Sequence, residues 1–494
     1  MLEGFLLSIG PMTLFWTLVG VAGGVFVGAV PGLGGGMLMA LALPLTYAMA
    51  PHDAILMLIG MHVGSVSGGL ISATLLRMPG TPSSLMSTFD GYPMAQRGEA
   101  ARALSLGIGA SLVGGLLAGV VLATLAPPLS VWALGFGPWE LASLILVALV
   151  LVAAISQGSM VRGLVSAVLG VAAAMPGIAE SDGQMRFTFG FSDMSAGFRL
   201  LPVLLGIFVI SQLLTEAEKS ARPSDIVSIE GSRQFPPLGV WLASWWNLLR
   251  SSVIGTFVGI LPGVGASISS MVAYGVARSM SKTPEKFGTG HDEGIVASEA
   301  ANNANAGGAL VPLVTLGIPG APVDAILLGA MIIHHVQPGP LLFVTNGSLV
   351  WAMIAGYFIA NIMMFVVMAS SYRQLARVIM IPKQYLVPVV FVFCLIGSYS
   401  VGGRMFDVWV MLGFGILGYI MDKARIPLGP FVIGFVLAAM LEKEVRTALQ
   451  ISDGSFLPLL ERPAALVFCA IALVTLFLPF IRRRKNSSTA SDLP

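Results

Sequence analysis

Polar side chains are scarce in this chain, and the few inside apolar runs are grouped. Glu299, Asn302, Asn303 and Asn305 stand together in EAANNANAGG, and Ser65 and Ser67 stand in HVGSVSGG. An ionisable group inside a membrane is costly and usually functional. Glu299 is therefore expected either to help hold a cation or to make a structural hydrogen bond. Spacing of three and four residues puts Glu299, Asn302 and Asn303 on one helix face. Asn302, Asn303, Ser65 and Ser67 are candidate contacts to a substrate or an ion. Thr81 and Ser83 follow Pro79-Gly80, placed either to cap a half-helix or to touch a ligand. Arg77, beside the same Pro-Gly, either reaches a carboxylate or extends its charge to the membrane interface.

Backbone groups offer the second kind of chemistry. A helix broken by Pro-Gly leaves N–H and C=O groups unpaired. Within a membrane such breaks line a cavity or are buried in protein. The N-terminal end of each half-helix carries free N–H donors and a partial positive charge. Gly34, Gly35 and Gly36, after Pro31-Gly32, would form one such end. Gly265, Ala266 and Ser267, after Pro262-Gly263, would form another, and Gly320 marks a third break. Two ends facing each other suit an anion with several carboxylates. Carbonyls freed at Pro31 and Pro262, with Glu299 and Asn305, are candidate Na⁺ contacts. Na⁺ suits such a place because it prefers oxygen ligands, and no resident cofactor is expected.

These residues occupy matching places in a repeat. Residues 24–36 read GVFVGAVPGLGGG and residues 255–267 read GTFVGILPGVGAS, with seven of thirteen positions identical. Farther on, Gly68-Gly69 matches Gly307-Gly308, and Pro79-Gly80-x-Pro82 matches Pro319-Gly320-x-Pro322. The offset between copies grows from 231 to 240, and the extra residues fall in the polar stretch SKTPEKFGTGHDEG. Broken apolar segments at corresponding places in two halves are the best sequence pointer to a transporter binding site.

Composition names the solvent. The chain has 494 residues, 56% hydrophobic and 10% charged, against about 25% charged in an ordinary soluble protein, and its mean hydropathy is +0.89. Runs such as 104–126, 341–370 and 463–481 approach or exceed the roughly 20 residues that span a bilayer. The expectation is a multi-pass membrane protein surrounded by lipid, with no nucleic-acid partner. The N-terminus has no basic stretch of the kind that opens a cleaved signal peptide. Cys394 and Cys469 sit in apolar runs and read as core filler.

Lys and Arg favour the cytoplasmic side. Arg482–Lys485 put the C-terminus in the cytoplasm, and Arg250 and Arg278 flank the second phrase, whereas no Lys or Arg precedes Arg77. The two phrases are thus expected to be re-entrant hairpins entering from opposite faces. The fold class expected is an all-α polytopic membrane protein with an inverted-topology repeat, two re-entrant hairpins and two interrupted helices, an elevator-like ion-transporter architecture. The first repeat covers 1–214, with its hairpin at 13–50 and interrupted helix at 54–89. A cytoplasmic linker covers 215–248. The second repeat covers 249–441, with its hairpin at 251–281 and interrupted helix at 294–335. Residues 442–494 add a transmembrane helix and a basic tail.

Other tempting residues carry less. His334-His335 precede QPGP and read as a membrane boundary, and His52 and His62 lack any HExxH context. Asp90 in FDGYP reads as the start of a turn. Asp182, Arg186 and Asp193 read as a solvated outer loop. No phosphate-binding loop, nucleophile–base spacing or metal-ligand spacing occurs, so neither an ATPase nor another enzyme is expected.

The motifs PGLGGG, PGVGAS, MPGTPSS, FDGYPMAQRGEAARAL, EAANNANAGGALVPLVTLGIPG and HHVQPGP together resemble the large membrane subunit of the tripartite tricarboxylate transporters, the TctA family, over nearly the whole length. The resemblance implies a bacterial inner-membrane permease. It implies a small membrane subunit of about four helices and a periplasmic solute-binding protein. It also implies uptake driven by an ion gradient, commonly Na⁺, with citrate or other carboxylates as cargo. A stand-alone carboxylate/cation symporter would share every intramembrane feature; a channel or an intramembrane enzyme fits less well.

Overall fold

The computed structural model describes residues 1–155, 159–179, 183–218, 236–378, 383–400 and 402–489. Helices make up about 81% of the chain, and the sheet among the described residues is a two-residue ladder of Gly177–Ile178 with Met185–Arg186. Seven of the described helices are long and apolar enough to cross a membrane. The protein is an all-α, multi-pass membrane protein.

Contacts divide the chain into two units, 1–131 with 200–419, and 132–199 with 420–494. The first unit holds both copies of the repeated phrase. Each phrase joins two helices: Pro11–Ala29 to Gly35–Thr46, and Leu238–Ile260 to Gly265–Met280. Each pair is followed by a long helix, Pro51–Leu76 or Asp292–Leu316, of about 38 Å at 1.5 Å per residue. Proline at the first position starts Pro11–Ala29 and Pro51–Leu76, where its missing N–H costs no helical bond.

The two copies pack alike. A Cβ on Gly24 would strike the carbonyl oxygen of Met61, and one on Gly255 that of Ala301. Gly28 meets Ser65 in the same way, and Gly259 meets Asn305. In return, Gly68 lies on Val25 and Gly308 on Thr256. The offsets are 231 in the hairpins and 240 in the long helices, as in the sequence. Glycine on both sides lets the backbones approach closely, as small residues do between membrane helices.

The Gly-Gly pairs lie inside unbroken helix. The interruptions come later, at 77–81 and 317–321. The first long helix ends on Arg77 and the second on Gly317, both left-handed. Gly317 N–H donates to Leu313 O at 3.1 Å and Ile318 N–H to Pro312 O at 3.2 Å, closing the second end. After the breaks come the turn Pro82–Ser84 with helix Ser87–Gln96, and helix Pro322–Ile333.

The first arm of the second pair begins at Leu238, inside the stretch read as linker. Val240, Trp241 and Leu248 explain this, because they pack on Ala103, Leu106 and Ile295 and carry the helix backward. Helix Leu238–Ile260 has 23 residues, although it is not among the seven apolar enough to count as spans. Residues 219–235 of the linker and Asp182 lie outside the described residues, as do the side chains of the basic tail.

The second unit packs helices Pro138–Ile155, Met160–Ala174, Leu428–Ile451 and Pro463–Thr489. Arg186 pairs with Glu442 at 2.6 and 3.1 Å rather than standing in solvent. Arg462 pairs with Glu140 at 3.0 Å.

Candidate functional site

The two long helices meet where their polar residues are. Asn302 Nδ2 donates to Val66 O at 3.2 Å, next to Ser67. Ser67 Oγ and Asn302 Oδ1 are buried and have no hydrogen-bond partner. Both atoms can accept, and oxygen acceptors left unpaired in a protein interior call for an explanation.

Glu299 is fully buried. Its oxygens accept from Ser87 Oγ and, at 3.2 Å, from Ser111 Oγ. Asn303 reaches the same helix, with Nδ2 donating to Ser111 O at 2.7 Å and to Asn361 Oδ1 at 2.6 Å. Glu299 and Asn303 therefore share a face toward Ala100–Ala133, while Asn302 turns to the first long helix. Asn305 Nδ2 donates to Ser269 Oγ at 2.6 Å, tying the second long helix to its own hairpin.

The breaks and hairpin tips are joined by backbone. Gly263 N–H donates to Gly320 O at 2.7 Å, so the second tip is sewn to the second break. At the first break, a Cβ on Gly80 would strike Gly28 O. Gly35 opens helix Gly35–Thr46 directly over Ser65, and Gly36 faces Val323 and Ile326 at 3.5–3.6 Å from its Cβ position. Gly34 and Gly265 have open space around them. Ala266 and Ser267 form the first turn of Gly265–Met280. The expected helix ends, next to Pro31-Gly32 and Pro262-Gly263, thus exist as backbone geometry.

Thr81 and Ser83 are buried, with their hydroxyl oxygens 2.9 Å apart. Thr81 and Ser84 form a reciprocal capping box at Pro82–Ser84, so capping occupies Thr81 in this structure. Arg77 points out of the interior. It is exposed, with its guanidinium 5.8 Å from the centre of the Tyr92 ring.

The first tip has a carboxylate beside it. Gln212 Nε2 donates to Gly32 O at 2.8 Å, and the Glu216 carboxylate lies 2.6 Å from where a Gly32 Cβ would be. Both come from helix Ser211–Glu218. A carboxylate already stands over the first tip, where an anionic cargo was expected. The second tip has no such neighbour among the described contacts.

Two residues that sequence reasoning passed over matter here. Asp90 does not start a turn; it lies buried in helix Ser87–Gln96. Its Oδ1 accepts N–H bonds from Gly288, Gly290 and His291, each 2.9 Å, and its Oδ2 accepts from Tyr274 Oη at 2.8 Å. Arg97 adds bonds to Thr289 O and Gly290 O at 2.6 and 2.8 Å. Asp324, in PGAPVD, is fully buried, and His62 Nδ1 lies 3.5 Å from its Oδ1. The signal for Asp324 was its register: it takes the place of Ser84 in the repeat. Among the described residues no three His, Cys, Asp or Glu side chains gather as a metal set.

The model of the tripartite tricarboxylate transporter TctA family matches residues 14–433. An Agrobacterium vitis protein, described as an uncharacterized 52.8 kDa protein in the TAR-I ttuC' 3' region, is 32% identical over 493 residues, covering 98% of this chain and 97% of that one. A second from the same organism, an uncharacterized protein in the TAR-II ttuC' 3' region, is 34% identical over 241 residues, 48% of this chain and all of that one. No solved structure matches. With the family model spanning most of its length, the chain belongs to the tripartite tricarboxylate transporter TctA family.

Proposed function

We propose that the protein is the permease subunit of a binding-protein-dependent secondary transporter. It imports tricarboxylates such as citrate, or related organic carboxylates, across a bacterial inner membrane. A cation gradient, Na⁺ in the reading its family resemblance gives, drives the uptake. A periplasmic solute-binding protein delivers the cargo, and a small membrane subunit completes the complex. The two hairpins are re-entrant and enter from opposite faces as an inverted repeat, with the C-terminus in the cytoplasm. The binding elements shift together against the remaining helices, an elevator-like alternating access.

One observation carries this reading. Two buried acceptor oxygens, on Ser67 and Asn302, stand unpartnered where the two long helices meet, and each long helix ends at a Pro-Gly break packed on its own hairpin. Unpaired polar groups and broken helices at matched positions are how transporters build a site near the bilayer midplane. Cation coupling suits oxygen acceptors, and the open helix starts at Gly34 and Gly265 suit an anion. The second tip is the better place for a cargo carboxylate, because the Glu216 carboxylate stands over Gly32 at the first.

Reconstitution tests the proposal. Proteoliposomes holding both membrane subunits should accumulate labelled citrate only when the binding protein and a cation gradient are supplied. Gly265→Leu, which fills open space at the second tip, should abolish uptake while the protein still inserts. Uptake at the normal rate by that variant would remove the site from the second tip. Accumulation without any binding protein would favour the stand-alone symporter.

A further inference from the structure

We infer that His62 and Asp324 form a proton-binding site within the first unit, a carboxylate–imidazole pair that takes up and releases one proton. The pair joins the two copies, since His62 lies on the first long helix and Asp324 on the helix after the second break.

Asp324 is fully buried, neither of its carboxylate oxygens has a side-chain hydrogen-bond partner, and its one hydrogen-bonding neighbour is the backbone of Ala321. Its only basic neighbour within 4.0 Å among the described residues is His62 Nδ1, at 3.5 Å. A buried carboxylate with so little hydrogen bonding favours binding a cation or taking a proton. The near-contact is too long for a good hydrogen bond and short enough for a small ring rotation to make one. A nitrogen and an oxygen facing each other suit a shared proton. Na⁺ would require a shell of oxygens, and the imidazole ring stands on one side of the carboxylate.

Most other ionisable groups on the packed elements are engaged elsewhere, and Glu3 is exposed, while Tyr372 Oη is buried with no hydrogen-bond partner. The arm Gly35–Thr46 and the helix Leu200–Leu204, which both pack on Pro322–Ile333, contain none. On the first long helix, Asp53 accepts from Thr13 and lies 3.5 Å from His52. On the second, Asp292 pairs with Arg102, Glu293 lies 4.0 Å from His291, and Glu299 accepts from Ser87 and Ser111. Elements packed on the first long helix add Glu3, Asp90, Tyr92, Tyr357, Tyr372 and Arg373. Asp90 is bound to the 288–291 backbone, Tyr357 Oη donates to Asn303 O, and Arg373 lies 5.9 Å from the Tyr372 ring centre.

The inference rests on the transporter reading for its role in coupling, but not for the existence of the site. Infrared difference spectra of the purified complex, recorded while pH is stepped, read the site directly. One carboxylic-acid C=O band should appear and vanish with pH, shift in ²H₂O, and be lost in Asp324→Asn. His62→Gln should move its titration midpoint without abolishing it. A spectrum unchanged in Asp324→Asn overturns the assignment. In proteoliposomes at equal Na⁺ on both sides, an imposed inward proton gradient should stimulate citrate uptake in the native complex, and that stimulation should be lost in Asp324→Asn. Stimulation unchanged in the variant, or native uptake that follows Na⁺ and ignores pH, overturns coupling through this pair. If native protein transports nothing while the band titrates, the transporter reading fails and the site stands.

Discussion

The two copies of the repeat agree in their packing and disagree in their chemistry. Gly24, Gly28 and Gly68 meet the first long helix and hairpin as Gly255, Gly259 and Gly308 meet the second. At four other matched places the residues diverge: Arg77 against Gly317, His62 against Asn302, Ser65 against Asn305, and Ser84 against Asp324. Backbone contact is common to both copies, and polar and charged side chains are distributed unequally between them. Each further substitution can break the likeness or sharpen the contrast.

The largest effect should come from the loop that only the second copy has. The extra residues in 281–291 are held by Asp90, whose four hydrogen bonds replace water for a buried carboxylate. Asp90→Ala leaves three loop N–H groups without their acceptor. Breaking a buried charged network by removing one partner costs about 3–5 kcal/mol. Thermal unfolding of the detergent-solubilised protein should show a large drop. Asp90→Asn, which keeps one acceptor oxygen, should retain more than half of the lost stability. Equal losses for both variants would mean that shape, not hydrogen bonding, anchors the loop.

Next come the shared glycines. Ala at Gly28 would push a methyl into Ser65 O, and Ala at Gly259 would push one into Asn305 O. Overpacking of this kind typically costs about 1–3 kcal/mol. The two variants should lose nearly the same stability because the contacts are nearly the same. Unequal losses would show that one interface relaxes more easily, and would break the likeness drawn above.

Much of this was legible because it lies in spacing. The repeat, the Pro-Gly-x-Pro breaks and the apolar spans depend on period and residue type, which a sequence displays directly. Asp90 was not legible. Its Asp-Gly reads as a turn locally, and only the folded chain brings it to residues 288–291. Asp324 was hidden in the same way, since its environment is made by His62, 262 positions away in the sequence. Glu216 over Gly32 could not have been foreseen either, because nothing in PGLGGG announces a carboxylate from residue 216. The second hairpin began too late in the sequence reading because 215–248 is the longest polar stretch between apolar runs, whereas Trp241 packs against Ala103 and Leu106.

The tips come third. Gly32 and Gly263 both have positive φ, 89° and 80°, so Ala at either position bears a left-handed penalty of about 1–2 kcal/mol. At Gly32 the methyl would also meet Glu216. Gly32→Ala should therefore be the more harmful variant, and the excess should vanish in a Glu216→Ala background. A double-mutant cycle on unfolding isolates that term. A coupling near zero would show that Glu216 swings clear of the tip at no cost.

The smallest effect is expected where the first copy carries Arg77 and the second Gly317. Both end a long helix with a left-handed residue, at φ 56° and 71°. Arg77→Gly relieves the left-handed strain and gives up the contact with Tyr92. The first gain is about 1 kcal/mol, and the second loss is about 0.5–1 kcal/mol at an exposed site. Stability should change by less than about 1 kcal/mol, since the two nearly cancel. Transport should also be nearly unchanged, because the guanidinium is exposed whereas Ser67 and Asn302 are buried. A severe loss of uptake at unchanged stability would place Arg77 in contact with the cargo during the cycle. The first break would then supply a positive charge that the second, with glycine at the same position, does not have.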